Sequence, residues 1–422
     1  MISNLYFIVL FLALFLSGIQ IISEPIKIVP YDLAFLCIIF VTLLSILSGR
    51  KICVPKALPQ IMAVTFIMLI WLSLQALRSP DVVRAFTLLG IAARGIGTMI
   101  LVAIILVNWN QKPETINRIF FMTGFLLSII AIPLFLLSVS DPGRVISEPR
   151  PGLIYRAGEG LFPHFQGFNH NPIYFATLSL LSMAAGITTH TRKRSEKVFK
   201  IMGLSVLFLA AVASFQRGPF IALTLGLLLA FLLGCFYPKL KQFLFLWKRA
   251  VSRLLMVVFL ALPMLVFVRL STYETTLLER LVFRFQEARW QIRLERWLEL
   301  LTSNYQNLWI GHGLRSAELT LGAQVTENSY VEILYEQGVI GLLLWIVFFG
   351  YILLLGVSKV QKTPAISMWV LAWLTVLVSM AYVTMHYDPL TWVVAGVIVG
   401  WKAKQAHGEE ALGSSEKASC QG

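Results

Sequence analysis

Of the chain's 422 residues, 58% are apolar and only 13% are charged, and the mean hydropathy is +0.78. That composition excludes a soluble globule and implies a polytopic integral membrane protein. The formal net charge of +14 does not point to nucleic acid as a partner, because in a protein this apolar positive charge records topology.

Apolar runs of roughly 18 to 22 residues predict about twelve transmembrane helices and hence an all-α fold. Their limits fall at roughly 4–23, 30–48, 58–77, 86–107, 116–138, 171–189, 198–214, 219–237, 254–270, 329–357, 365–385 and 389–402. The first, Leu5 to Ile22, has neither a basic n-region nor a small-residue cleavage site, and reads as a retained span. One transmembrane domain over 1–402 is expected, with extracytoplasmic loops at 139–170 and 271–327, the second of them large and helical. A polar tail, 403–422, is expected to be disordered. Cys37, Cys53, Cys235 and Cys420 show no CxxC and no metal-ligand spacing, so neither a metal nor a cofactor is expected.

Lysine and arginine in the short loops set the orientation. With the N-terminus inside, the inner loops and tail hold nineteen basic residues, fourteen of them lysine, against seven in the short outer loops. Both termini are therefore expected in the cytoplasm. Counting the long loop, thirteen of the fourteen outer basic residues are arginine. Guanidinium groups match a fork-shaped anion such as a diphosphate better than a lysine ammonium does. Arg94 is the main charge within the membrane, read either as a contact for an anionic lipid headgroup or as a snorkelling or interhelical arginine. The Ser214 to Pro219 junction is so short that its flanking helices are expected to be antiparallel neighbours, with Arg217 at the turn. The outer segment from Ser140 to Asn171, rich in Pro and Gly, lacks a helical period and predicts an irregular loop. In it His170 could donate to a sugar or phosphate, and a loop histidine without a role fits equally.

The long polar stretch from Leu270 to Gly341 carries six arginines, with Arg269 just before it, and no lysine. A helix is predicted from Arg280 to Leu301, on which Arg289, Arg293 and Arg296 fall at i, i+4 and i+7 and share one face. An amphipathic helix on the membrane surface and an anion-binding helix are both compatible with this pattern. Gly311-His312-Gly313, Glu327-Asn328-Ser329-Tyr330 and Glu336-Gln337-Gly338-Val339-Ile340-Gly341 follow and open the next span.

These residues resemble the O-antigen ligase and polymerase superfamily of bacterial envelope glycosyltransferases, over about half the chain. Arg156 to Pro172, with Gly167-Phe168-Asn169-His170-Asn171-Pro172, is similar to the family's segment before a span, with the Asn-Pro order altered. Ser214-Phe215-Gln216-Arg217-Gly218 is similar to its Ser-x-x-Arg-Gly turn. Arg293 with Trp297, then Gly311-His312-Gly313, resembles its Arg-x-x-x-Trp and Gly-x-Gly run. Glu327 to Val331 and Glu336 to Gly341 resemble its His-Asn-x-Tyr-Leu and Glu-x-Gly-x-x-Gly block, with Glu327 standing where ligases carry histidine.

The resemblance implies a donor glycan on undecaprenyl diphosphate and a saccharide or lipid-linked acceptor. The site would lie on the periplasmic side of the bacterial inner membrane, among membrane lipids and other polysaccharide-assembly proteins. It implies catalytic roles for Glu327, Arg217 and Arg293, and substrate contacts from Arg156, His312, Asn328 and Tyr330, to which the residues themselves add Arg289, Arg296, Arg94 and His170 as candidate contacts. Preorganised arginines would stabilise charge on the departing diphosphate without a metal. The departure at Glu327 favours a polymerase joining repeat units over a ligase attaching the glycan to lipid A-core. For Glu327 a helix-end role, its carboxylate meeting the N-terminal partial charge, stands beside the catalytic one. A polysaccharide or lipid transporter and a non-catalytic assembly protein are the readings from other classes.

Overall fold

The computed structural model describes residues 2–16, 29–47, 52–108, 112–140, 154–156, 163–165, 172–189, 191, 193–214, 216–237, 240–267, 269–270, 275–276, 289–303, 307–321, 326–361 and 363–401. In chain order the helices are α1 (Ile2–Phe15), α2 (Pro30–Leu47), α3 (Leu58–Leu77), α4 (Val82–Asn108), α5 (Pro113–Ser140), α6 (Pro172–Thr188) and α7 (Arg194–Ala213). They continue as α8 (Arg217–Phe236), α9 (Lys241–Phe267), α10 (Arg289–Ser303), α11 (Ser316–Thr320), α12 (Ser329–Val360), α13 (Ser367–Ser379) and α14 (Pro389–Gly400). Among the described residues five helical stretches, Leu58–Leu77, Val82–Asn108, Pro113–Pro133, Arg217–Phe236 and Ser329–Val360, are long and apolar enough to cross a membrane, and five shorter apolar helices accompany them. The protein is thus a helical, multi-pass membrane protein.

Most helices keep the limits that hydropathy sets, and three features depart from them. Helix α9 starts at Lys241, thirteen residues before the expected 254. A hydropathy window rejects Lys241, Lys248, Arg249 and Arg253, whereas Phe243, Ala250 and Val257 recur at i, i+7 and i+14 as one buried stripe. The loop after α5 is not wholly irregular. Strands β1 (Ile154–Arg156) and β2 (Pro163–Phe165) pair antiparallel, with Arg156 opposite Pro163. A second short ladder joins β3 (Arg269–Leu270) to β4 (Thr275–Thr276). Helix α12 is broken at Gly338, whose φ of 74° is left-handed. The start of the helix predicted at Arg280 lies outside the described residues, as does the tail.

The chain divides into two compact units, the first being Met1–Val41, Gln111–Phe236 and Phe243–Ala288. Its core is aromatic. Phe11 of α1 meets Phe120 of α5 at 4.7 Å between centroids, and Phe15 meets Phe175 of α6 edge-on at 6.2 Å. Helix α6 is buried almost throughout because it is apolar on all sides, and it packs on both α5 and α7. Helix α8 packs chiefly on α6, and meets α7, its expected neighbour, through Phe208 and Phe220.

The second unit comprises Thr42–Asn110, Tyr237–Gln242 and Arg289–Gly422. Small residues let α4 and α14 approach closely. A Cβ on Gly396 would lie 2.8 Å from the Met99 carbonyl oxygen, and one on Gly400 2.5 Å from Ala103 Cα. Trp345, Phe348 and Phe349 of α12 fill the space beside them with Trp373 and Trp392, all buried.

Candidate functional site

The site is built where α10 is clamped to the start of α12. Leu300, Ala317, Leu321 and Tyr335 form a buried cluster with Val331 against it, tying α10 and α11 to α12. Burying Leu300 alone is worth roughly 1.5–3 kcal/mol. Arg293 and Trp297 lie four residues apart, on one face of α10. From that face Trp297 Nε1 donates to the Thr326 carbonyl at 2.9 Å, and Arg293 Nε meets Glu327 Oε2 at 2.6 Å. The Arg-x-x-x-Trp spacing therefore lets one helix hold two consecutive residues of the segment that opens the next span.

Glu327 is held with φ at 52°, a left-handed conformation that costs a residue with a side chain roughly 1 kcal/mol or more. It does not cap the helix. Asn328 does so, its Oδ1 accepting from the backbone N–H groups of Tyr330 at 2.9 Å and Val331 at 3.1 Å. The acid of the first turn is Glu332. The helix-end role read for Glu327 thus belongs to its neighbours, and its carboxylate faces α10 instead. The start of α12 is anchored from the other side as well. Ser329 N–H donates to Met380 O at 2.8 Å, Ser329 Oγ accepts from Met385 N–H at 2.9 Å, and Tyr330 OH donates to Leu377 O at 2.7 Å.

The Gly-His-Gly loop and the Glu-Gln-Gly break fit each other. At Gly338 the backbone turns out of the helix, freeing carbonyls that at membrane depth need partners. His312 N–H donates to Tyr335 O at 3.0 Å, Gly313 N–H to Glu336 O at 2.9 Å, and Trp71 Nε1 to Gln337 O at 3.0 Å. Val339 N–H returns to Leu308 O at 2.8 Å. A Cβ on Gly338 would stand 2.5 Å from Trp309 O. The His312 ring stacks on Tyr335 at 4.2 Å, with Nδ1 3.0 Å from the Tyr335 carbonyl. Since a carbonyl only accepts, Nδ1 is the donor of that contact, and Nε2 is buried without a hydrogen-bond partner among the described residues.

Of the residues singled out in the sequence, Arg293 and Glu327 are in contact and Asn328 caps the helix that follows; Tyr330 OH is turned to Leu377, His312 lies on Tyr335 further along α12, and half-buried Arg296 lies one turn along α10. Arg289 opens α10, but its side chain is outside the described residues, as are His170 and the side chain of Arg156. Arg217 belongs to the first unit and is the first residue of α8. The Ser214 side chain shapes that turn, donating to Ala211 O at 2.6 Å and accepting from Gln216 N–H at 3.3 Å. Arg94 sits on α4, where its charge acts on Asp388. Asp388 caps α14 by accepting from Leu390 N–H at 2.8 Å. Burial pushes the Asp388 carboxyl up to about 7, against the opposing pull of that N–H and of Arg94.

Two carboxylates escaped individual notice in the sequence. Glu332 Oε2 accepts from Thr384 Oγ1 at 2.7 Å. Glu336, 2% exposed, lies near the backbone N–H groups of Arg315 and Ala317, and its Oε2 is buried without a hydrogen-bond partner among the described residues. The signal was present. They are the only charged residues of α12 before Lys359, and their i, i+4 spacing puts both on one face.

A family model described as O-antigen ligase matches residues 202–346. The match takes in the Ser-x-x-Arg-Gly turn, α10, the Gly-His-Gly loop and the broken start of α12, and leaves out Arg94 and the segment from Arg156 to Pro172. No curated protein matches the chain. The segment that builds the Arg293–Glu327 site is thus similar to the O-antigen ligase family, in line with the resemblance its motifs carry.

Proposed function

We propose that this protein is a membrane glycosyltransferase that moves a glycan from undecaprenyl diphosphate to a saccharide hydroxyl on the periplasmic face, acting as a polymerase of repeat units. The observation that carries the reading is the 2.6 Å contact of Arg293 with Glu327, which brings an anion-binding group and a proton acceptor together inside the matched segment. In the proposed reaction the acceptor hydroxyl oxygen attacks the anomeric carbon. The bond from that carbon to the diphosphate oxygen breaks, its electron pair leaves with the lipid diphosphate, and the hydroxyl proton passes to Glu327. Arg293 stabilises the departing charge, and Arg289 and Arg296 extend the same guanidinium face.

The ion pair gives the cycle an order. Before the donor arrives, Arg293 occupies the Glu327 carboxylate. A diphosphate competes for the guanidinium and frees the carboxylate for the acceptor hydroxyl. Arg217 supports the anion reading through its position, since a cation at the first residue of a helix opposes the helix dipole by about 0.3–1 kcal/mol, and a bound anion offsets that cost. His312 Nε2, Asn328, Tyr330, Arg156 and His170 are proposed as saccharide contacts, and Arg94 as a contact for the lipid headgroup.

The family description favours a second reading, a ligase that attaches the finished glycan to lipid A-core. Deletion in the native host separates the two. Loss of a polymerase leaves single repeat units on the final acceptor, whereas loss of a ligase leaves long chains on the carrier lipid. Normal polysaccharide after deletion would sink both readings.

A further inference from the structure

The first unit contains a cavity of about 350 Å³ at the ends of α5, α6 and α7, within the range of small-ligand sites. Its walls are of two kinds. Arg118, Thr191, Ser195 and Lys200 present hydrogen-bond donors, while Phe121 and Phe199 give it an apolar side. Loop charge assigns this end to the cytoplasmic face.

Lys200 is only 5% exposed. Its Nζ donates to Thr189 O at 2.5 Å, and Arg253 of α9 donates to Ile187 O, so both cations stand at the C-terminal end of α6, where the helix dipole favours them. That contact uses one of the three Lys200 donors and one of the five of Arg253. Arg253 and Arg249 lie within electrostatic reach of Lys200. Arg118, also on the cavity wall, has no carboxylate partner among the described residues. Among the described residues Glu196 is the one acid lining the cavity, against Arg118 and Lys200 on its wall and Arg249 and Arg253 within reach, which leaves an excess of basic groups. Such clustering costs free energy that a bound anion recovers.

The apolar side is rigid at one end and open at the other. Phe121 is pinned between Gly186 and Gly203, where a Cβ on Gly203 would stand 2.5 Å from the ring. Phe199 is 43% exposed, and Val198 and Met202, at 52% and 57%, carry the apolar surface outward along α7. A ligand with an anionic head and an apolar tail fits both walls.

We propose that this cavity binds the phosphate of an anionic ligand at the cytoplasmic membrane surface, with an anionic phospholipid headgroup as the source the adjoining apolar wall suits. The inference does not depend on the transferase reaction. It is tested on full-length, delipidated protein in a nonionic detergent, by thermal unfolding and by native mass spectrometry. The probes are phosphatidylglycerol, phosphatidylcholine and inorganic phosphate. Phosphatidylglycerol is expected to raise Tm and stay bound, and phosphatidylcholine to do neither. Arg118→Gln leaves the α6 contacts of Lys200 and Arg253 intact, and should weaken phosphatidylglycerol binding about tenfold, as one lost charge-assisted hydrogen bond does. Lys200→Met should weaken it further where it folds. Protection of the wild type, and not of Arg118→Gln, by inorganic phosphate alone would assign the same site to a free anion. Equal retention of the two lipids without a phosphate effect, or wild-type affinity in Arg118→Gln, would overturn the proposal.

Discussion

Breaking the Arg293–Glu327 pair should harm activity far more than stability. Its 2.6 Å separation makes it a charge-assisted hydrogen bond, and the two side chains are 24% and 33% exposed. Exposed ion pairs contribute about 0–1 kcal/mol and hydrogen bonds to charged groups about 1.5–3 kcal/mol. A half-buried pair lies between them, so Arg293→Gln or Glu327→Gln should each lower stability by about 1 kcal/mol. The two losses should not add, because either substitution removes the same contact. Transfer should fall much further. Losing a donor to the departing diphosphate costs on the order of 10²–10³ in kcat, or about 2.7–4 kcal/mol. Losing a general base costs about 10²–10⁴. Arg293→Lys keeps the charge without the fork and should retain only part of the activity. The assay is chain growth from a lipid-linked donor in proteoliposomes, run beside thermal unfolding of the same variants. Turnover within twofold of wild type in Glu327→Gln and Arg293→Lys, with Tm lowered, would reduce the pair to a structural ion pair.

Three further predictions follow from other parts of the chain. Cysteines introduced at Ser303 and Ser415 in a cysteine-free background should be labelled by an impermeant reagent at 303 only in spheroplasts, and the reverse pattern would overturn the orientation. Gly338→Ala places a Cβ 2.5 Å from the Trp309 carbonyl at a φ of 74°. It should cost about 1–3 kcal/mol in strain alone, read as a lower Tm, while Gly350→Ala, where a Cβ meets nothing within 4 Å, should be neutral or stabilising. Asp388 gives a pH dependence with a definite sign. Its carboxyl is raised to about 7 in the fold from about 3.9 unfolded, so the unfolded state releases its proton first. Stability from this group is therefore greatest below pH about 4 and declines as pH rises towards about 7, a slope in Tm that Asp388→Asn should flatten.

Hydropathy made most helices legible, since a span needs only length and apolar content, and α3 begins and ends where its composition says. It failed where helix and membrane part company. The charges of Lys241 to Arg253 break an apolar window without breaking a helix, because the buried stripe of Phe243, Ala250 and Val257 needs only every seventh residue. Arg293 and Trp297 were legible as a pair. What they hold was not, since the partner segment at Thr326 and Glu327 lies about thirty residues away and periodicity carries no information across that distance. The Gly-x-Gly and Glu-x-Gly motifs were visible as glycines, but their mutual fit depends on three left-handed backbone positions, Gly311, Gly313 and Gly338. Arg94 was visible as a costly charge, and its relation to Asp388 follows from the close packing of α4 on α14, which local pattern does not reveal.

Glu327 and Arg293 are proposed to carry out glycan transfer from a lipid diphosphate. Purified protein in proteoliposomes, supplied with undecaprenyl-diphosphate-linked repeat units and no added metal, should release undecaprenyl diphosphate in step with glycan elongation. Glu327→Gln should still bind the donor and release none. Donor accumulation inside the vesicles without release of the diphosphate, or wild-type release by Glu327→Gln, would contradict the account.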